Sequence, residues 1–182
     1  MQFLVAPTEF LGDNHGKLVA VRCQRMKLGE PDSARVWFEQ SLTLACARGD
    51  SVKVADVLDN YSRLLADAGE LERAQASYER AIAIANASGD AWSAARLQFG
   101  RGDLLRRRGH FAEAAQAFTA SAALSEEAHD ARELTTALTS LGRVWHNLQD
   151  PERALPPLER AVTLADSLGD DLAGALALND LA

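Results

Sequence analysis

One short signal recurs at a fixed interval along this chain. ACARGD ends at Asp50, ANASGD at Asp90, SEEAHD at Asp130 and ADSLGD at Asp170, each 40 residues after the last and with no insertion. A register kept over four copies constrains the fold more than any composition can, because a unit of that size cannot bury an apolar face alone and must stack on its neighbours. The chain divides into units 11–50, 51–90, 91–130 and 131–170.

Stacked column by column, the units show helical spacing. One column reads Leu18, Leu58, Gln98 and Leu138; the next reads Val21, Tyr61, Arg101 and Leu141; a third reads Arg25, Leu65, Leu105 and Trp145. An apolar stripe at i, i+3 and i+7 predicts an amphipathic helix in the first half of each unit. Arg101 fits that stripe if its aliphatic stem packs while its guanidinium reaches water. Gly29, Gly69, Gly109 and Gln149 then mark a turn, where a left-handed residue ends the helix.

A second helix opens with Pro31 and Pro151 in its first turn, and Glu70 and Glu152 place negative charge at its start. Its inner face repeats as Ala34, Ala74, Ala114, Ala154, then Phe38, Tyr78, Phe118, Leu158, then Ser41, Ala81, Ser121, Ala161. Small, large, small at this spacing lets two helices approach closely around one bulky side chain. Pro156 and Pro157 interrupt the last of these helices and predict a late start or a kink.

This pattern resembles the tetratricopeptide repeat, a helix–turn–helix with Leu-Gly in its first helix and Ala, aromatic, Ala in its second. Gly102 and Leu141-Gly142 fit it, and GELERAQASYERA at 69–81 is the clearest single match. The period is 40 rather than the usual 34, and the proline that usually closes the second helix is replaced by Cys46, Asn86, Glu126 and Asp166. The units are therefore similar to the long repeats of kinesin light chains and of the sensor arms of some bacterial transcription regulators. The resemblance implies an all-α fold, a right-handed superhelix of stacked antiparallel helix pairs, with a concave groove lined by the first helices. A single domain over 1–182 is expected, in which 171–182 forms the first helix of an incomplete fifth repeat or a cap. Leu172, Leu176, Leu178 and Leu181 would make a poor solvent face there, so either the chain is cut from a longer protein, or the helix is a cap, or it pairs with a second copy to form a homodimer.

Composition and motifs exclude several function classes. A net charge of −7 argues against nucleic acid and anionic membrane as direct partners, since such affinity rests on clustered Lys and Arg. The RRRGH run at 106–110 belongs to a unit with five arginines and five acidic residues, so it reads as a solvated helix end. MQFLVAPTEF has no basic start and too short an apolar run for a signal peptide, and no stretch approaches a membrane span; a cytoplasmic location is the expectation. Cys23 and Cys46 are too few for a disulfide framework and read as reduced packing residues. His15, His110, His129 and His146 occupy unrelated columns, so no metal is implied, and no phosphate loop or nucleophile motif is present. No cofactor and no enzymatic activity are expected.

At 100° per residue, the side of the first helix opposite its stripe carries Asp56, Asn60, Arg63 and Asp67 in the second unit. The matching positions are Gly16, Ala20, Cys23 and Lys27 in the first unit, Arg96, Gly100, Asp103 and Arg107 in the third, and Thr136, Ser140, Arg143 and Asn147 in the fourth, with Phe99 and His146 at the edge. The family resemblance makes this side the groove. The column Cys23, Arg63, Asp103, Arg143 has two readings: an internal ion-pair ladder, or a set of arginines that receives carboxylates of a bound peptide beside Phe99. No lysine and asparagine set recurs as in the chaperone-binding members, so a chaperone tail is not the expected ligand. Three functions remain open: a protein or peptide interaction scaffold, an effector-sensing arm of a larger transcription regulator or ATPase, and a self-association module.

Overall fold

A computed structural model describes residues 3–12, 18–27, 38, 40–45 and 48–180. Its backbone contacts divide the chain into two compact units, 1–50 and 51–182, where the repeat alone suggested one domain.

In the first unit, strands β1 (Phe3–Gly12) and β2 (Leu18–Lys27) pair antiparallel. Phe3 faces Lys27 and Gly12 faces Leu18, with register shifts between Pro7 and Glu9 and between Leu11 and Gly12. This corrects the expected first helix of the unit 11–50: Leu18, Val21 and Arg25 lie on a strand, as do Ala20, Cys23 and Lys27 of the expected groove column. The physical signal is the run Leu18-Val19-Ala20-Val21, which with Phe3, Val5 and Phe10 concentrates β-branched and aromatic side chains that suit a pleated backbone. Residues 38 and 40–45 are helical, so Phe38 and Ser41 of the second-helix columns do lie on a helix. His15, Gly16, Gly29, Pro31, Ala34 and Cys46 lie outside the described residues.

The second unit is all helix: α1 (Ser51–Asp67), α2 (Leu71–Ala87), α3 (Ala91–Arg107), α4 (Phe111–Glu127), α5 (Ala131–Asn147), α6 (Pro151–Leu168) and α7 (Asp171–Asn179). Successive helices are antiparallel pairs stacked into a right-handed superhelix. The connections repeat one device. Gly69 and Gly109 take left-handed φ of 81° and 78°, and Gln149 takes 57° in the same place. Around Gly69 the amide of Glu70 reaches the carbonyl of Leu65 at 2.8 Å and that of Gly69 reaches Ala66 at 3.1 Å, which satisfies the last carbonyls of α1. At the other connections the Asp of the recurring Gly-Asp signal is an N-cap: Asp90, Asp130 and Asp170 accept from the amides of Ser93, Glu133 and Ala173 at 3.0–3.1 Å. The repeat signal in the sequence is thus the joint between one pair and the next.

The core follows the columns. Ala74, Ala81, Ala114, Phe118, Ser121, Leu158 and Ala161 are all buried, as are Leu58, Leu65, Leu105 and Leu138 from the first helices. Phe118 and Leu158 pack on Gly102 and Gly142, where an added Cβ would overlap their side chains. Arg101 is half-buried as expected, but its Nε is enclosed without a hydrogen-bond partner among the described residues. No helix among them is long and apolar enough to cross a membrane.

Candidate binding groove

The first helices α1, α3 and α5 contribute side chains to one shared face. Two adjoining chambers occupy it. The first, about 460 Å³, takes Arg63 and Asp67 from α1, Arg96, Phe99, Asp103 and Arg107 from α3, and Glu133 from α5. The second, about 680 Å³, takes Ser140, Arg143, His146 and Asn147 from α5 and Asn179 and Asp180 from the end of α7. Phe99 and Asp103 line both, so the two chambers adjoin at these residues. Phe99 is held by the Phe118 ring, 5.3 Å away between centroids.

Of the residues assigned to this face in the second to fourth units, two line neither chamber. Asp56 accepts from Arg96, and the Asn60 amide is spent on the carbonyl of Asp56 at 3.0 Å. The remaining twelve of the second to fourth units, Arg63, Asp67, Arg96, Phe99, Gly100, Asp103, Arg107, Thr136, Ser140, Arg143, His146 and Asn147, each line one or both chambers.

The arginines differ sharply in what they touch. Arg96 reaches Asp59 at 2.7 Å and Asp56 at 3.5 Å, and lies 4.6 Å above the Trp92 ring. Arg107 reaches Asp67 at 3.2 Å. Both ties join α1 to α3, and Asp56–Arg96 and Asp67–Arg107 are each one 40-residue period apart. Asp103 is held by Arg106 of its own helix at 2.6 Å, and Arg143 by Asp180. The expected ladder through Arg63, Asp103 and Arg143 is therefore not formed. The ladder that exists lies in the columns on either side. Arg63 alone of the lining arginines makes no ion pair or hydrogen bond with a described residue.

Two lining residues carry perturbed acidity. Burial, followed by the Asp59 carboxylate, pushes the Tyr78 phenol well above its ordinary range. Burial, followed by the Asp130 and Asp59 carboxylates and opposed by Arg96, raises Glu133. Tyr78, Asp59, Glu133 and Asp180 were absent from the sequence-derived face. Tyr78 belongs to the inner column of the second helix, and its phenolic oxygen was the only available signal; Asp59, 5% exposed, sits on the flank between two helices. Among the described residues no group of His, Cys, Asp or Glu is placed to hold a metal ion.

These features define a helical-repeat solenoid whose first helices line an open channel. The tetratricopeptide repeat model matches residues 24–87, about a third of the chain, beginning inside β2. Solved structures agree on the fold. A Rap protein complexed with competence and sporulation factor has a TM-score of 0.71 at 19% identity, over 84% of this chain and 46% of that one. The BtubC protein (BKLC) of P. vanneervenii gives 0.68 at 14% identity, over 84% of this chain and 72% of that one. A kinesin light chain with nearly identical repeats from Podospora anserina gives 0.68 at 14%, over 84% and 76%.

Proposed function

We propose that this chain is an interaction scaffold that holds an extended segment of another protein, or a free peptide, along the channel of α1, α3 and α5. The observation that carries this reading is that the two chambers adjoin: their linings draw on three successive first helices and share Asp103 and the Phe99 ring, an apolar step between them. A channel of that form is open along its length, which suits a chain more than a compact metabolite. The Rap neighbour, solved in complex with competence and sporulation factor, supports the reading that a fold of this kind holds a partner. An open channel without a water-excluding pocket also speaks for a scaffold over an enzyme.

The reading is tested by affinity selection from a synthetic library of random dodecapeptides with free termini, read out by mass spectrometry. Wild type is expected to retain a recurring set of peptides that an Arg63→Glu, Arg143→Glu variant loses, one reversal in each chamber. An Arg80→Gln variant, altered on the exposed side of α2, should retain them. Selection of nothing, or of the same peptides by all three proteins, would reject the channel as the binding face.

A further inference from the structure

The large position of the second helices reads Tyr78, Phe118 and Leu158, so only one carries a hydroxyl. Its partner position on the following first helix is equally singular. A Cβ placed on Gly100 would lie 2.6 Å from Tyr78 Oη and 2.7 Å from its Cε1, whereas one unit later the same two positions hold Ser140 and the shorter Phe118. Phe118 and Leu158 are accommodated instead by Gly102 and Gly142 on the first helices of their own units, where the second unit has Ser62. The missing side chain at Gly100 lets the tyrosine, otherwise 2% exposed, reach between α1 and α3 to the floor of the first chamber, where both residues appear in the lining. Its hydroxyl has no hydrogen-bond partner among the described residues.

Arg63 stands over the same chamber, and its charge acts on Tyr78. The acidic residues around it do not compete for it. Asp59 and Asp67 are held by Arg96 and Arg107, and Asp103 by Arg106. One guanidinium and one hydroxyl therefore face the chamber with their donors unused, in a surrounding where the three aspartates and the other two arginines are each ion-paired. Donors of these two kinds converge on one chemical group: guanidinium and phenol both give charge-assisted hydrogen bonds to a carboxylate oxygen. Since burial keeps Tyr78 protonated, it remains a donor across the range in which proteins are studied.

We infer that the first chamber is a carboxylate subsite, in which Arg63 and the Tyr78 hydroxyl, admitted through the gap at Gly100, bind a carboxylate of the peptide that the channel holds. This rests on the channel reading above and deepens it. Arg96, Arg107 and Arg143 take no part, since each already has a carboxylate of its own.

The test uses peptides from the selection, resynthesised and titrated by fluorescence anisotropy against wild type, Arg63→Gln and Tyr78→Phe. Each substitution should weaken binding roughly tenfold, the usual effect of losing a charge-assisted hydrogen bond. Changing the peptide's Asp to Asn and Glu to Gln, or its C-terminal carboxylate to an amide, should cost the same against wild type and nothing further against Arg63→Gln; which change matters identifies the source of the carboxylate. Gly100→Ala should reproduce the loss by displacing the ring, while circular dichroism reports whether the fold is kept. Peptides that need the channel, yet bind Arg63→Gln and Tyr78→Phe as tightly as wild type, would overturn the subsite and leave the channel standing. Selection of no peptide would remove both.

Discussion

At the scale of single residues, the channel is a place where charge has been almost balanced, and Glu133 is where the balance is strained. Its carboxyl is partly withdrawn from water, lies beside Asp130 and Asp59, and is only partly relieved by Arg96. A carboxyl raised in the folded state binds its proton more tightly there than in the unfolded chain, so its contribution is fully present below its ordinary 4.5 and is lost as pH rises through the higher folded value. The stability of wild type relative to Glu133→Gln, measured by urea unfolding at a series of pH values, should therefore fall as pH rises above 4.5. A difference that grows with pH would mean that Arg96 outweighs burial. Little of this was legible in the sequence. Helical periodicity located the face, because 100° per residue fixes which side chains share it, but it carries no information on partner choice. Whether Asp103 turns to Arg63, Arg143 or Arg106 depends on rotamers and on distances of an ångström or two, and it turned to Arg106, its neighbour one turn away.

At the scale of elements, α6 runs against local expectation. Pro156 and Pro157 cannot donate to the carbonyls four residues back, yet the helix neither starts late nor stops, running from Pro151 to Leu168. Its start is fixed from outside the prolines: Asp150 accepts from the Arg153 amide at 3.1 Å, and Pro151 stands at the helix entry where a missing amide is harmless. Burial of Ala154, Leu158, Ala161 and Ala165 on one side then holds the helical path through the interruption. Packing has overridden propensity, at a cost that substitution should release. Pro156 is exposed, so Pro156→Ala restores an amide to the helix without disturbing the core. The variant should be more stable by about 1–2 kcal/mol, the regained helical bond being offset in part by a more flexible unfolded chain, as read from chemical denaturation. A neutral or destabilising result would show that the proline ring makes contacts that alanine cannot replace.

For the whole molecule, the legible part was the part set by repetition. The 40-residue register, the small-large-small columns and the turn residues place every helix from 51 to 179, because each unit must satisfy the same packing as its neighbours. The hairpin of 3–12 and 18–27 was not legible by that route: the first unit was read by alignment to the others, although Arg25 stood where they have Leu65, Leu105 and Trp145. A repeat frame imposed from later units hides a local preference for strand. The same nearest-neighbour logic governs how the second unit should unfold. Phe118 is completely buried near its middle, against Gly102 and Phe99, while Leu158 is buried in the last full pair. Truncation to alanine costs about 3–5 kcal/mol at Phe118 and about 2–5 kcal/mol at Leu158. Their distribution should differ. Phe118→Ala weakens contacts on both sides of α4 and should raise hydrogen exchange together from α2 to α6. Leu158→Ala has few neighbours beyond α7, and should raise exchange in α6 and α7 while α1 to α4 keep the protection of wild type. Identical exchange profiles for the two variants would mean that this unit opens as one body, with coupling between helix pairs stronger than the stability of any single pair.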